Sequence, residues 1–538
     1  MSQPSNYKIF QPILFALVLI LGVFLGFRLN QSSNAAFLFT GKTGNSNNKV
    51  NQVLNYIEQE YVDTINKNRL TDEAISSLLQ NLDPHSAYIP ASEVQAMNEP
   101  MQGNFDGIGV EFNILDDTII VVAALSGGPS EALGIKAGDR IVKIEKQNVG
   151  GVKIKNNDVL KKLRGVSGTK VSISIKRRGV PKLLDFTIIR GKIPICSVDV
   201  SYMLSAKTGY IKVSRFAATT YDEFMKASND LLSKGMQNLV LDLRGNPGGY
   251  LNTAISICDE FLENGKKIVY TKGKAHSRED YTATSTGSME KINLAILIDE
   301  GSASASEIVS GAIQDNDRGE IIGRRSFGKG LVQEQSDFPD GSAMRLTIAR
   351  YYTPTGRCIQ KPYIKGDPED YYNEELTRYQ HGELVNADSI HFADSLKFKT
   401  PKGKVVYGGG GIMPDVFVPL DTAGRSRFLT EIAVRGTVNQ FAITYSDRER
   451  KNIQHYSSFT DFNNRFEVSD NMYAEFLKFA IKDSVKPATD KESIAARKTV
   501  SEQLKALIAR NFWRNEGFYS VINKNDAALR AALFELGK

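Results

Sequence analysis

Two short stretches carry residues that could do chemistry together. One is Gly301-Ser302-Ala303-Ser304-Ala305-Ser306-Glu307; the other is Phe327-Gly328-Lys329-Gly330-Leu331-Val332-Gln333. A serine hydroxyl becomes a nucleophile only beside a base. A lysine serves as that base only when neutral, which requires its pKa, about 10.4 in water, to fall by several units through desolvation. Such a pair can cut amide bonds without histidine. The histidines are His85, His276, His381, His391 and His455, and none lies in a motif near a strand end. His85, in Leu82-Asp83-Pro84-His85-Ser86, is the one to weigh as a base. Its Pro-containing turn, far in sequence from any nucleophile, favours a structural role.

The elements around these residues must position them. Leu294 to Ile298 reads as a buried strand, Asp299-Glu300-Gly301 as a turn, and Ala305 to Gln314 as a helix with Ile308, Val309, Ala312 and Ile313 on one side. Ser304 thus sits where a strand turns into a helix, beside N–H groups that can stabilise an oxyanion. The same residues spell a capping box, with Ser304 at the N-cap and Glu307 at N3. Local sequence alone favours the cap. A cap does not require serines alternating with alanines, however, whereas small residues let a substrate backbone approach. On the other stretch, a strand from Leu331 to Gln335 would place Lys329, Leu331 and Gln333 on one face. The Gln333 carboxamide oxygen could then hold the lysine amine.

The rest of the chain bounds the setting. At roughly 100–200 residues per domain, 538 residues suggest three or four domains. A formal charge of +6 over that length, with no basic stripe interleaved with aromatics, argues against nucleic acid. Cys196, Cys258 and Cys358 are widely spaced, so neither a disulfide framework nor a structural zinc site is indicated, and no metal ligand set is proposed. Ile13 to Phe27 is apolar and uncharged between Lys8 and Arg28. It reads either as an uncleaved membrane anchor or as a signal peptide cut near Ser33-Asn34-Ala35, and the distance to that site favours the anchor. Both readings place the remaining chain outside the cytoplasm.

Residues 50–80 have helical periodicity, with a second helix opening at an N-cap on Thr71. Residues 103–190 read as a compact β-rich unit. From Tyr210 strands and helices alternate, as in an α/β core. Arg244-Gly245-Asn246-Pro247-Gly248-Gly249 forms a loop after the strand Leu239 to Leu243. Residues 361–400 read as a polar surface excursion, and 425–538 as charged and helical. The run Gly408 to Gly411 lacks the following Lys-Ser or Lys-Thr of a phosphate loop, and no cofactor is indicated.

The unit at 103–190, with Gly107-Ile108-Gly109-Val110 at its front and Ala137-Gly138-Asp139-Arg140-Ile141-Val142 in its middle, resembles a PDZ domain. In that family the glycine-rich loop takes a peptide's C-terminal carboxylate and the peptide adds a strand. Here Gly107, Ile108, Gly109 and Val110 would do so.

That unit, the 82–86 turn, the 242–249 loop, the serine and lysine stretches, Tyr352-Thr353-Pro354 and Gly411-Ile412-Met413-Pro414-Asp415 occur in the order of the C-terminal processing peptidases, or tail-specific serine proteases, which this chain resembles over most of residues 50–420. The resemblance implies a multidomain α/β plus β chain: a crotonase-like or ClpP-like α/β protease core with an inserted PDZ domain, a helical N-terminal cap region and a helical C-terminal domain. The boundaries expected are an anchor or signal segment at 1–30, tether and cap region at 31–102, PDZ domain at 103–190, protease core at 191–360, surface insertion at 361–400, a return segment of the core at 401–424 and the helical domain at 425–538.

It also implies Ser304 as nucleophile, Lys329 as general base and Gln333 as the residue orienting the lysine. The oxyanion donors would be the backbone of Ala305 and of Gly248 or Gly249. Arg164 would couple the PDZ unit to the core. Substrates would be proteins or peptides bound by their C-termini, cleaved in the cell envelope by an enzyme anchored in the inner membrane through residues 13–27 and facing the periplasm. Assembly into a homo-oligomer is left open. The rival reading is a PDZ scaffold that binds tails without cutting.

Overall fold

The computed structural model describes residues 49–537, except 126 and 423, together with residues 16, 18 and 22. The expected anchor at 13–27, apart from those isolated positions, and the Ser33–Ala35 site lie outside the described residues. Among the described residues no helix is long and apolar enough to cross a membrane. The chain divides into residues 1–79 and 80–538. In the first unit, helices α1 (Lys49–Glu60) and α2 (Lys67–Gln80) turn Val50, Val53, Leu54, Ile57, Leu70 and Ala74 toward a shared apolar cleft. Thr71 is not the N-cap expected of it. The helix starts a turn earlier, where Asn66 Oδ1 accepts from Arg69 N–H at 3.1 Å, and Thr71 Oγ1 donates to the Lys67 carbonyl at 2.9 Å. A better capping residue upstream has won.

The second unit opens with β1 (Ala87–Ile89), α3 (Ala91–Gln102) and β2 (Asn104–Gly107). The β-rich unit follows: β3 (Val110–Leu115), β4 (Thr118–Ala124), α4 (Pro129–Ala132), β5 (Arg140–Ile144), β6 (Gln147–Asn148), α5 (Asn156–Leu163), β7 (Lys170–Lys176) and β8 (Leu184–Ile189). Its antiparallel sheet runs β3-β4-β5-β7-β8, with β6 paired to β5. Inward residues Ile119, Val121, Ile141, Ile173 and Ile175 close on Val159 and Leu163 of α5. The chain leaves along β9 (Gly191–Pro194), antiparallel to β2, so entry and exit form one ribbon.

The core contains β10 (Val198–Met203), β11 (Thr208–Val213), α6 (Thr220–Ser233), β12 (Asn238–Asp242), α7 (Leu251–Asp259), β13 (Lys267–Lys272), β14 (Glu279–Thr282), β15 (Asn293–Ile298), α8 (Ala305–Asp315), β16 (Glu320–Gly323), β17 (Leu331–Asp337) and β18 (Ala343–Tyr352). After these come α9 (Pro368–Gln380), β19 (Lys397–Lys399), β20 (Val405–Tyr407) and β21 (Val416–Phe417). One sheet runs β10-β11-β12-β15-β16-β21, parallel except for the β10–β11 pair. The other is antiparallel and joins β1, β17 and β13 to β18, with β14 at its edge.

The parallel strands are apolar on both faces because both are covered. Leu239, Leu241, Ile296 and Ile298 face Phe224, Ile257, Val309 and Ile313 of the helices on one side. Val240, Ala295, Leu297 and Ile322 face the other way. That second face is covered by the last helix of the chain.

The C-terminal region supplies α10 (Arg427–Val434), α11 (Thr437–Arg448), α12 (Arg450–Ile453), α13 (Phe459–Arg465), α14 (Asp470–Lys482), α15 (Asp490–Ile522) and α16 (Ala527–Leu536). Most pack around Phe441, Phe462, Phe476, Val500 and Leu504. α15 breaks at Trp513 and Arg514. Its residue Arg510 reaches Glu111 on β3 at 3.0 Å, and Asp447 of α11 pairs with Arg140 on β5 at 3.0 Å. α16 then seats Ala528, Leu529 and Ala532 on the parallel sheet. The helical region therefore completes the core as well as forming its own. Leu529→Ala should destabilise the protein by about 2–4 kcal/mol, the usual cost of a truncated buried leucine. Urea denaturation followed by circular dichroism would measure it, and an unchanged midpoint would count against this packing.

Candidate active site

Ser304 follows β15 and its turn and opens α8 in a conformation that residues with a Cβ seldom adopt, φ 54° and ψ −113°. Two features hold it there. Gly248, itself at φ 99°, lies so close that a Cβ would stand 2.7 Å from Ser304 Cβ and 2.9 Å from Ala305 N, so only glycine fits. One half of the capping box also forms: the Glu307 carboxylate accepts from Ser304 N–H at 2.8 Å, while Glu307 N–H goes to the Ser304 carbonyl and leaves the hydroxyl out of the cap. The same carboxylate accepts from Gly328 N–H at 2.7 Å, from Lys329 N–H at 2.9 Å and from the Ser326 hydroxyl. Tyr351 of β18 makes a second bridge, donating to the Lys329 carbonyl at 2.6 Å and lying 3.1 Å from the Ser304 carbonyl. Glu307 and Tyr351 thus tie the serine turn to the lysine loop by their backbones.

The side chains of Ser304, Lys329, Gln333, Arg345 and Tyr351 line one cavity of about 660 Å³, with Asn98 and Met101 of α3 and Tyr250 and Leu251 around it. Lys329 Nζ donates to Gln333 Oε1 at 3.1 Å. Gln333 Nε2 in turn donates to the His85 carbonyl, which fixes which end of the amide faces the lysine. Burial, then the Arg345 guanidinium, hold the lysine below its ordinary pKa, against the pull of Glu307 and Asp83. The strand expected from Leu331 is present as β17. A bulge opposite Val332 and Gln333 leaves Ile348 of β18 out of register, and Lys329 lies in the loop before the strand.

His85 is a turn residue, as its sequence setting suggests. Asp83 Oδ1 accepts from its N–H and from Ser86 N–H, both at 2.9 Å. Its ring Nε2 lies 2.9 Å from the Tyr371 hydroxyl, and burial, then nearby Lys329, hold its pKa down to about 3. Tyr371 belongs to α9. Residues 361–400, expected as a surface excursion, therefore send a helix inward: Tyr371 and Arg378 are buried, and Arg378 donates to the carbonyls of Arg325 and Ser326.

At the glycine pair, Gly248 N–H is already donated to Asn246 Oδ1 at 2.9 Å. Gly249, which lines the cavity, has an N–H without a partner among the described residues, as does Ala305. In the PDZ-like unit the carbonyls of Ile108 and Gly109 accept from Ser130 N–H and Leu125 N–H at 3.1 and 2.9 Å, pinning the loop, and β3 is an edge strand starting at Val110. Gly107 is tied into the β2–β9 ribbon opposite Gly191. Arg164, at the end of α5, reaches Glu99 of α3 at 2.6 Å and lies over the Phe105 ring at 4.7 Å.

In the sequence Glu307 reads only as a cap, and nothing singles out Tyr351 or Tyr371. The one available signal was the second acceptor oxygen of Glu307, which a cap alone does not use.

The chain matches the model of peptidase family S41 over residues 207–369 and that of the PDZ domain over 107–188. It also matches a model named for the N-terminal domain of the activating protease CtpB over 28–92, and a family of unknown function over 428–514. Fold and family model define the class: a serine-type peptidase carrying a PDZ domain. The carboxy-terminal-processing protease of Bartonella bacilliformis is 36% identical over 62% of this chain and 80% of that protein. The carboxy-terminal processing protease CtpA of Bacillus subtilis is 34% identical over 62% of this chain and 72% of that protein. Among solved structures, the photosystem II D1 C-terminal processing protease is 24% identical, covering 70% of this chain and 94% of that one at a TM-score of 0.36. The chain belongs to the carboxy-terminal processing proteases.

Glu307 carries a prediction. Burial pushes its carboxyl from the usual 4.5 up to about 7, against four donors that favour the charged form. A pKa raised on folding contributes stability that is present below the unfolded pKa and is lost as pH rises through the folded one. Unfolding free energy should therefore fall between about pH 4.5 and about pH 7. Glu307→Gln should remove that slope and, by setting an amide donor against backbone donors, cost about 2–3 kcal/mol. Urea titrations across this range would test both effects, and an unaltered slope in the variant would refute the first.

Proposed function

We propose that Ser304 and Lys329 form the catalytic dyad of this peptidase, with Gln333 holding the lysine amine. The observation that carries the reading is a partly buried lysine with a lowered pKa, anchored by Gln333 Oε1 and opening on the same cavity as a conformationally strained serine. The neutral amine takes the Ser304 proton as the oxygen attacks the scissile carbonyl. The resulting ammonium gives a proton to the leaving amine, and the acyl-enzyme remains. Water then attacks that ester, its proton passing to Lys329 and back to Ser304. The N–H groups of Ala305 and Gly249 would take the oxyanion.

The Ile108–Val110 loop and the free edge of β3 would receive a substrate's C-terminal tail by strand addition, as in PDZ domains generally. Arg164, bonded to Glu99 on the helix that also lines the cavity, is the candidate link between tail and site. We further propose, from the apolar run at 13–27, an inner-membrane anchor with the catalytic part in the periplasm, and leave self-association to measurement.

The test is cleavage of an unfolded protein with an apolar C-terminal tail by the wild type, Ser304→Ala and Lys329→Ala. Each variant should lose at least about 10³-fold in kcat, because dyad members act as a unit. Activity of the wild type should rise with pH through the lowered lysine pKa, since only the neutral amine is a base. Cleavage by either variant at the wild-type rate would sink the dyad.

A further inference from the structure

We propose that Tyr371 and Gln360 are positioning residues for the Lys329 amine, acting through His85 and Gln333. The proposal rests on the dyad reading and assigns to residues 361–400 a part in it. The observation is a closed ring of hydrogen bonds around the lysine loop. Gly330 N–H, next in the chain to Lys329, donates to Gln360 Oε1 at 2.8 Å. Gln360 Nε2 donates to the Tyr371 hydroxyl at 3.2 Å. That hydroxyl lies 2.9 Å from His85 Nε2. The His85 carbonyl accepts from Gln333 Nε2, and Gln333 Oε1 accepts from Lys329 Nζ at 3.1 Å.

Groups that can only donate or only accept fix the amides beside them. A backbone N–H can only donate, so it takes the Gln360 oxygen and turns the Gln360 amide nitrogen toward Tyr371. The Tyr371 hydroxyl then accepts from that nitrogen, which leaves its own proton available to His85 Nε2 in the tautomer protonated at Nδ1. A neutral imidazole is required there, and burial keeps His85 neutral at physiological pH. At the other end, the His85 carbonyl can only accept, so Gln333 presents nitrogen to it and oxygen to the lysine. The amine is thereby held as a donor to Gln333 with its lone pair free for the cavity.

The turn that carries the His85 carbonyl is itself clamped from α9. Tyr372 donates to the Pro84 carbonyl at 2.7 Å. The Tyr371 ring stands edge-on to both the His85 and Phe327 rings, with centroids at 5.1 and 5.7 Å. Lys361 Nζ, over the Phe327 and Tyr371 rings at 4.0 and 4.2 Å, donates to the Tyr371 carbonyl at 2.8 Å.

A merely structural Tyr371 would affect the folded fraction and leave the lysine's titration alone. A positioning Tyr371 would change both kcat and the pH limb. The charged and titratable groups facing Lys329 are Arg345 and Tyr351 from β18, Glu307 from α8, and Asp83 and His85 from the turn, with Lys361 and Tyr371 behind the loop. Tyr371→Phe keeps the ring and leaves all the others in place.

The experiment uses the full chain and an unfolded protein with an apolar tail, with rates per folded molecule from circular dichroism. Tyr371→Phe should lower kcat about tenfold, leave KM within about twofold, and move the pH–rate limb to higher pH as the loosened amine regains water. Gln360→Leu should act in the same direction. In a Gln333→Ala background, Tyr371→Phe should have no further effect, because its route to the lysine is already cut. An unmoved pH limb, or losses that multiply in the double variant, would overturn the proposal. Wild-type cleavage by Ser304→Ala or Lys329→Ala in the same assay would instead show that the dyad itself is wrong, and the proposal would fall with it.

Discussion

The fully buried Glu307 carboxylate is the constraint on which the site depends. It lies on the first turn of α8, yet only one of its four bonds serves that helix. The other three reach the loop between β16 and β17. A helix start alone would place a serine and nothing opposite it. A glycine-flanked loop alone would let a lysine find water. By accepting backbone donors from both, one side chain fixes the distance between two segments that no local rule brings together. A buried carboxylate is costly unless its acceptor sites are filled. Here they are filled by the groups whose positions matter, so the cost of burial and the geometry of the site are set by the same contacts.

The lysine shows the complementary economy. Its amine must be short of solvent to lose its charge, and short of carboxylate partners as well, since a close acid would hold the proton on. Gln333 meets both conditions, offering a neutral oxygen where a carboxylate would raise the pKa again. Arg345 adds a repulsive charge from the next strand. Glu307 and Asp83 pull the other way. Both nevertheless spend their oxygens on backbone and hydroxyl donors, so neither forms an ion pair with Lys329 Nζ among the described residues. The site therefore shifts the lysine by what it withholds as well as by what it supplies.

Much of this was legible in the sequence because the chemistry sits at local signals. The strand–turn–helix around Ser304 follows from an apolar run, a glycine and a capping box. The lysine announces itself by lying between glycines in an apolar stretch, and Gln333 by its spacing from it. The PDZ-like unit and the α/β core follow from alternation and from apolar runs. What could not be read is what reaches the site from a distance with no periodic signature. Tyr351 looks like any strand tyrosine, and nothing local separates it from Tyr352. Residues 361–400 are polar, and polarity alone suggests exposure. Three of their buried members, Lys361, Tyr371 and Arg378, are long amphipathic side chains that bury stems and rings while their polar ends find partners. Thr71 misled for a related reason: it is a good cap by type, and Asn66, a better one, lies within reach upstream.

The last helix shows how far the dependence extends. β12 ends at the Asp242–Gly249 loop that packs against Ser304, and β15 ends at the turn that delivers it. Both strands need cover on two faces, and α16 provides the second. Arg244, in the first of those loops, bonds Asp242 and reaches Asp526 at the start of α16 at 2.7 Å. A strained serine conformation persists only where its surroundings over-determine it. Some of that determination comes from a helix more than two hundred residues further along the chain. The protease core and the helical C-terminal region are accordingly separate in sequence pattern but one body in mechanical terms. A chain that stopped at the end of the matched peptidase region would contain every residue of the proposed dyad and lack part of what holds it in place.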